Sequence, residues 1–589
     1  MAGRQVRYIA LVHVCLLAAC SAGAPGPGLD LDRVMAHVDH LTAIGPRPED
    51  SDGSRAAAGY IEDELRRLGL DAQRMPVGSV ELPSIEVLGR TYRRSVRVDT
   101  TDPDLLVHLG PPGPALLLMA HYDTVRGSPG AADNAAAVAL LLDLARVLAD
   151  EAPAQPIVLA FTANEEIGLV GAEALAARHG DEIGFAVALD LIGGDGALVI
   201  NGASTLIGRA ELAWLADAGD RAGVALSAPP AHRVVSRWWP QAERSDHGPF
   251  TRRGIRAVHL YNRGTDGEWI DLAYHSPRDV PARLHAGSLA ATGRLLRALA
   301  AEPPPAHAGD GYWLPLAVNT VVPRWWLIAG ELALVLVVLV ALVASRDGLV
   351  ATLARRHQGS RRAADGPRGA GLWLGILGYA IAAAAAVSVE RALAGGHPAP
   401  WLHAPLRALL TDALVLAGTF GLVTRIVARA WPWRGGQRYL ALAAITCTVI
   451  GGLLVSLGAA ELAWIWLVPA AVIALAPRLG RAGIVAIAFA ALPLACVLNP
   501  WQLREAAWNG FLPVSLPLSV WMAIVGMPTV ATTAWWLRSS RRPAGPLGTL
   551  VLGMGCGLAV VLGLLFAVTY EPPCTAAKFE QFQLACERV

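Results

Sequence analysis

From about Asp30 to Ala301 short apolar runs alternate with stretches whose apolar residues recur at helical spacing, the pattern of a three-layer α/β domain. Arg55 to Leu68 is expected to be a helix, with Ile61, Leu65 and Leu68 on one face and its charges opposite. Three apolar runs end in polar residues. Ala115 to Ala120 leads into His121-Tyr122-Asp123, Pro156 to Thr162 into Asn164-Glu165-Glu166, and Phe185 to Leu189 into Asp190. In open α/β sheets ligands bind outside the carboxyl ends of strands, so three such ends can converge on one site.

Beyond residue 302 the pattern changes. A linker over 303–324 precedes eight apolar segments, at about 325–345, 370–389, 409–427, 439–458, 462–477, 484–503, 511–537 and 547–570. They predict an all-α polytopic membrane domain of about 8 helices over 325–570, followed by a tail over 571–589. Arginines collect in alternate loops: Arg346 to Arg368, Arg425 to Arg438, Arg478 with Arg481, and Arg538 to Arg542, against Arg391, Arg407 and Arg504 in the others. Short cytoplasmic loops gather arginine, so the domain before residue 302 is expected outside the cytoplasmic membrane of a bacterium. Tryptophans near segment ends, among them Trp325, Trp326, Trp535 and Trp536, fit an aromatic belt.

The N-terminus agrees with that orientation. Arg4 and Arg7 precede an apolar run from Tyr8 to Ala19 that is too short to span about 30 Å of hydrocarbon and has the shape of a secretory signal over 1–20. It ends in Leu17-Ala18-Ala19-Cys20, which resembles a lipobox, with Cys20 as the lipidated residue; an ordinary signal or an uncleaved anchor would leave Cys20 incidental. Cys574 and Cys586 in the tail could pair in an oxidising compartment.

Composition sharpens this division. Of the 589 residues 54% are apolar and 16% charged, with mean hydropathy +0.42, where a soluble domain has about 25% charged residues. Only seven of the 48 acidic residues lie between Trp325 and Glu571. Net charge of +1 and the absence of a nucleic-acid-binding motif argue against nucleic acid as a partner. No cysteine falls between residues 21 and 446, which excludes a cysteine nucleophile from the first half. Glu331 and Asp412 sit in or at the edge of apolar segments, but no polar stripe or repeat recurs there, so anchoring is the expected role of the membrane half.

Two loop positions join the strand ends as ligand-type residues: Asp133 in Ala132-Asp133-Asn134, before a helix over 135–149, and His275 in Tyr274-His275-Ser276-Pro277-Arg278-Asp279. Two imidazoles with several carboxylates suit zinc, and less well manganese or cobalt.

The ordered set AHYDTV, AADNAAAVALLLDLA, ANEEIGLVGA, LDLIGG, SDHGPF and YHSPRD, preceded by LTAIGPRPEDSDGSRAAAGYIEDELRRLGLDAQ, resembles the exported dizinc aminopeptidase family, metallopeptidase family twenty-eight, over about residues 33–302. With a polytopic segment after it, the chain looks most like the vacuolar and endoplasmic-reticulum membrane metallopeptidases of that family. The resemblance implies a three-layer α/β/α zinc-peptidase domain with a mixed sheet over 30–302, and a peptide substrate. It implies two zinc ions per chain, His121 and Asp190 holding one, Glu166 and His275 the other, and Asp133 bridging both. Asp123 would receive the second ring N–H of His121, and Glu165 would be the general base. Ser245 to Phe250 would form a wall of the substrate site, although Ser245 or Asp246 capping a helix explains those side chains equally well. His247 and His259 remain unassigned.

This sequence departs from the family in Ala135-Ala136-Ala137, where small residues such as Ser-Gly are common, and in Asp190, where membrane members often have glutamate. Neither removes a ligand. Besides an aminopeptidase, three readings stay open. A glutaminyl cyclase-like acyltransferase shares the fold but would use one zinc. A carboxypeptidase on acidic peptides would need a basic cluster, for which Arg252, Arg253, Arg256 and Arg263 are candidates. A non-catalytic receptor of the same fold would lack the ligands, which are all present here.

Overall fold

Helix caps set the start of the first domain. The Asp30 carboxylate accepts the N–H groups of Asp32 and Arg33 ahead of helix α1 (Leu31–Ala43), and Ser51 accepts that of Ser54 ahead of α2 (Asp52–Arg67). The Ser51 cap starts α2 three residues before the expected Arg55, and Ile61 and Leu65 lie on its buried face. The computed structural model describes residues 29–343, except 88–89, 94, 202–205, 229–242, 244, 263–272, 310 and 314–318, together with 436–456 and 460–479. The signal, Cys20, five of the eight apolar segments and the Cys574–Cys586 pair lie outside the described residues.

An eight-stranded mixed sheet forms the middle layer, in the order β1 (Gln73–Leu82), β4 (Val96–Leu109), β6 (Ile157–Thr162), β5 (Ala115–His121), β7 (Ile183–Leu189), β10 (Ala257–Asn262), β8 (Leu198–Asn201), β9 (Leu226–Ser227). Strands β6, β5, β7 and β10 run parallel, while β4 pairs antiparallel with β6 and β8 antiparallel with β10. Every residue of β5 and β6 is buried, which explains their unbroken apolar runs: a central parallel strand is covered on both faces. A two-stranded ribbon, β2 (Ile85–Val87) and β3 (Arg90–Arg93), extends the β1–β4 connection.

From β5 the chain crosses through α3 (Ala136–Glu151) to β6 on one side, then through α4 (Val170–His179) back past β5 to β7 on the other. Right-handed crossovers in opposite directions put α3 and α4 on opposite faces of the sheet. On the α3 side lie α1, α5 (Arg209–Ala222) and α7 (Ala286–Ala301), and α4 adjoins α6 (His247–Arg252). Helix α3 is apolar nearly all round and buried over twelve of its sixteen residues, as a helix enclosed by a sheet and other helices must be. The reversal leaves a crevice at the carboxyl ends of β5, β6 and β7.

The stretch expected as a linker is part of the fold. Strands β11 (Gly311–Trp313) and β12 (Val321–Pro323) pair with each other. Trp313 is buried, Asn319 exchanges hydrogen bonds with Leu226, Val224 and Asp220, and the His307 ring meets the buried Glu211 carboxylate at 2.9 Å. Three prolines in a row, Pro303 to Pro305, make this segment read as a tether, but its later side chains finish the packing around α5.

A second unit begins at Pro323. Its described helices are α8 (Arg324–Val343), α9 (Gly436–Ser456) and α10 (Ala460–Leu479), which overlap three of the eight expected segments. Among the described residues α8 is the one helix long and apolar enough to cross a membrane. The three helices meet through small side chains such as Ala341, Ala444, Cys447 and Ala470, and α8 exposes Trp325, Trp326, Leu332 and Leu336 outward.

Candidate metal centre

Each strand end delivers its residue into the crevice. His121 closes β5, and its Nε2 lies 3.3 Å from Asp133 Oδ1 and 3.6 Å from Asp190 Oδ1, Asp190 following directly on β7. Asp133 sits on an irregular turn, Ala131–Ala135, ahead of α3, and its other oxygen, Oδ2, is 3.2 Å from His275 Nε2. That imidazole nitrogen is also 2.9 Å from Glu166 Oε2. The potential ligand atoms of His121, Asp133 and Asp190 lie within 4.8 Å of one another, as do those of Asp133, Glu166 and His275, and those of His121, Glu165 and Glu166. Asp133 belongs to two of these groups, and its Oδ1 faces His121 while its Oδ2 faces His275.

The donors fit a cation. Among the described residues His121 Nε2, His275 Nε2 and Glu166 Oε1 are buried with no hydrogen-bond partner of good geometry, an arrangement that costs free energy unless something positive joins them. The electrostatics agree. Burial raises the Glu165 carboxyl well above the usual range, and the acids Asp190, Glu166 and Asp246 add to it. Burial raises Glu166 to about 7, with Asp133 adding. Burial also opposes charge on Asp133, but the two imidazoles on its oxygens outweigh that and hold it ionised. His275 is pushed up to about 10 because Glu166 and Asp133 overcome its burial. Without a metal, protons on two imidazoles stand where a cation would go.

Asp123 faces His121 through two groups: its carboxylate Oδ1 lies 3.5 Å from Nδ1 and its main-chain carbonyl 3.2 Å. The carboxylate also accepts the backbone N–H groups of Glu165 and Glu166, each at 3.1 Å. Neighbouring main chain is held likewise: Asp104 accepts Ala163 N–H at 2.8 Å, and Asn164, at φ 59°, donates to Thr100 Oγ1 at 2.7 Å. Asp279 accepts the N–H groups of Ala132 and Asp133 at 2.8 and 3.0 Å. Asp104 and Asp279 were not singled out from the sequence; Asp279 lies in the YHSPRD segment, and Asp104 carried no local signal.

The expected cap on α6 is not made. Neither Ser245 nor Asp246 caps it by side chain, and Asp246 accepts from Thr162 Oγ1 instead. His247 pairs with Glu243 at 2.8 Å and stacks on His259, whose burial pushes it down to about 4. The arginines proposed for binding a substrate carboxylate are otherwise engaged. Arg252 and Arg253 pair with Glu173, and Arg256 with Glu211 and Gly184 O at the far end of β7. Arg263 lies outside the described residues.

Residues 106–300, which contain every strand end and loop of this cluster, match peptidase family M28. The chain carries an M28 metallopeptidase domain. The chain is similar to the putative endoplasmic reticulum metallopeptidase 1-A of Caenorhabditis elegans, 30% identical over 162 residues, 25% of this chain and 18% of that protein. It is 40% identical over 89 residues to the vacuolar membrane protease of Candida albicans, 15% of this chain and 10% of the relative. It is 28% identical over 195 residues to aminopeptidase YwaD of Bacillus subtilis, 31% of this chain and 40% of the relative. The chain therefore spans less than half the length of each of these relatives.

Proposed function

We propose that the chain is a membrane-anchored zinc aminopeptidase that removes N-terminal residues from peptides outside the bacterial inner membrane. The observation that carries this reading is the Asp133 carboxylate, with Oδ1 toward His121 and Oδ2 toward His275, in one cluster with Asp190 and in another with Glu166. That division supports two zinc ions per chain, His121 and Asp190 holding one, Glu166 and His275 the other, with Asp133 common to both. Zinc so held supplies Lewis acidity, polarising a scissile carbonyl and lowering the proton affinity of a water molecule.

The remaining work falls to the chain's own groups. Glu165, whose proton affinity burial raises, accepts the proton of the attacking water at its carboxylate and hands it to the departing amine. Asp123 holds the main chain beneath Glu165 and Glu166, so base and neighbouring ligand keep one geometry. The arginine asymmetry of the second half and helix α8 support the membrane setting. Structural ion pairs engage Arg252, Arg253 and Arg256, three of the four arginines the carboxypeptidase reading invoked.

The test is an assay of the full chain in detergent against free peptides, N-acetylated peptides and glutaminyl peptides, with zinc counted per chain. Release of amino acids from free termini alone, with two zincs, is expected. One zinc with cyclisation of glutaminyl peptides would replace this reading by the cyclase.

A further inference from the structure

Arg47 heads the fully buried side chains, and none of its hydrogen bonds goes to a carboxylate. Its guanidinium is spread over backbone carbonyls: Nε donates to Tyr122 O at 2.8 Å, Nη1 to Pro129 O at 2.8 Å and Leu41 O at 3.0 Å, and Nη2 to Gly130 O at 3.3 Å. The main chain adds a reciprocal pair, Arg47 N–H to Thr124 Oγ1 at 2.8 Å and Thr124 N–H to Arg47 O at 3.2 Å. A buried cation costs several kcal/mol to desolvate, so the bland reading, closure of the loop between α1 and α2, needs only the Leu41 and Gly45 bonds and leaves the others unexplained.

Those others land on the site. Tyr122 lies between His121 and Asp123, and Gly130 precedes the turn that carries Asp133. The segment from Pro129 to Asp133 is thus gripped by its carbonyls on Arg47 and by its N–H groups on Asp279. A planar fork can hold two carbonyl groups at a set distance, which the point charge of a lysine cannot.

The geometry points to Arg47 as a positioning residue for the metal centre: its fork fixes the spacing between the strand end bearing His121 and the loop bearing Asp133, and so tunes affinity for the metal. This rests on the zinc-site reading above. The experiment is a zinc titration of the full chain in detergent, stripped of metal, against a chromophoric chelator, for wild type, Arg47→Lys and Arg47→Met. Limited proteolysis follows the metal-free fold in parallel. Both variants are expected to bind zinc about ten- to a hundredfold more weakly, as when other groups supporting ligands are lost. Lysine should rescue little despite its charge, kcat should fall more than KM rises, and the metal-free domain should stay protease-resistant. Wild-type zinc affinity in either variant overturns the assignment. So does loss of protease resistance in both with zinc present, which would make Arg47 a folding residue only. A wild-type chain that takes up no zinc overturns the site reading and this inference together.

Discussion

The Asp123 carboxylate and the Glu165 main chain are joined by a hydrogen bond of 3.1 Å from the Glu165 N–H, which leaves the Glu165 side chain to the cluster with His121 and Glu166. Glu165→Gln therefore removes a proton acceptor without disturbing the loop that bears Glu166. Peptide hydrolysis should drop by about 10²- to 10⁴-fold while zinc content stays as in wild type. Parallel kinetics and metal analysis check this, and full activity in the variant would sink the assigned base.

Asp133→Asn replaces one oxygen of the shared carboxylate by a donor and strips its charge. One of the two imidazoles then faces an amide N–H group. Zinc content should fall by at least one equivalent, and hydrolysis should drop further than for Glu165→Gln, both measurable on chains prepared with excess zinc.

Chelation should change the pH dependence of stability. The metal-free Glu166 carboxyl is raised from 4.5 to about 7, and His275 from 6.5 to about 10. Both shifts are upward, so each group contributes stability that is complete below its unfolded value and is lost as pH rises through its folded one. The stripped domain should therefore lose stability steadily from about pH 4.5 to 10. Zinc displaces those protons, so its stabilisation should grow over the same interval. Thermal unfolding with and without zinc at several pH values tests both signs, and a stripped domain that gains stability with pH would contradict them.

Gly130 sits at φ 63°, and a Cβ there would meet Thr124 Cγ2 at 2.3 Å and Asp133 O at 2.4 Å. Gly130→Ala should cost roughly 1–2 kcal/mol for the left-handed backbone alone. The clash must also push the Asp133 turn, so activity and zinc affinity should fall together. A folded variant with unaltered zinc affinity would show that the turn yields elsewhere.

A chain ended after residue 322 keeps Trp313 and Asn319, and one ended after residue 305 loses them along with His307 on Glu211. Loss of a buried tryptophan alone costs about 3–5 kcal/mol. The shorter chain should therefore unfold at markedly lower urea concentration than the longer.

The strand ends were legible because each is a continuous apolar run stopped by a ligand-type residue, and β5, β6 and β7 are buried along nearly their whole length. What holds those ends was not. Arg47 reaches Tyr122, 75 residues on, and Asp279 reaches Asp133, 146 residues back, through main-chain atoms that every residue type offers alike. No spacing rule marks such bonds. The contacts of 307–319 were hidden for a different reason: a proline run and short strands resemble a tether until Glu211 and Asp220 are seen to need partners.

Asp133 also has a consequence for how the centre fills. Its carboxylate offers each side one oxygen but only a single unit of charge between them. A first cation draws that charge toward itself, and a second must then enter beside a like charge about 3.5–4 Å away. If the proposed pair of zinc ions is bound, stepwise binding constants should consequently be unequal, and a chain starved of metal should sit half-filled, with the poise between one ion and two set by the zinc supply.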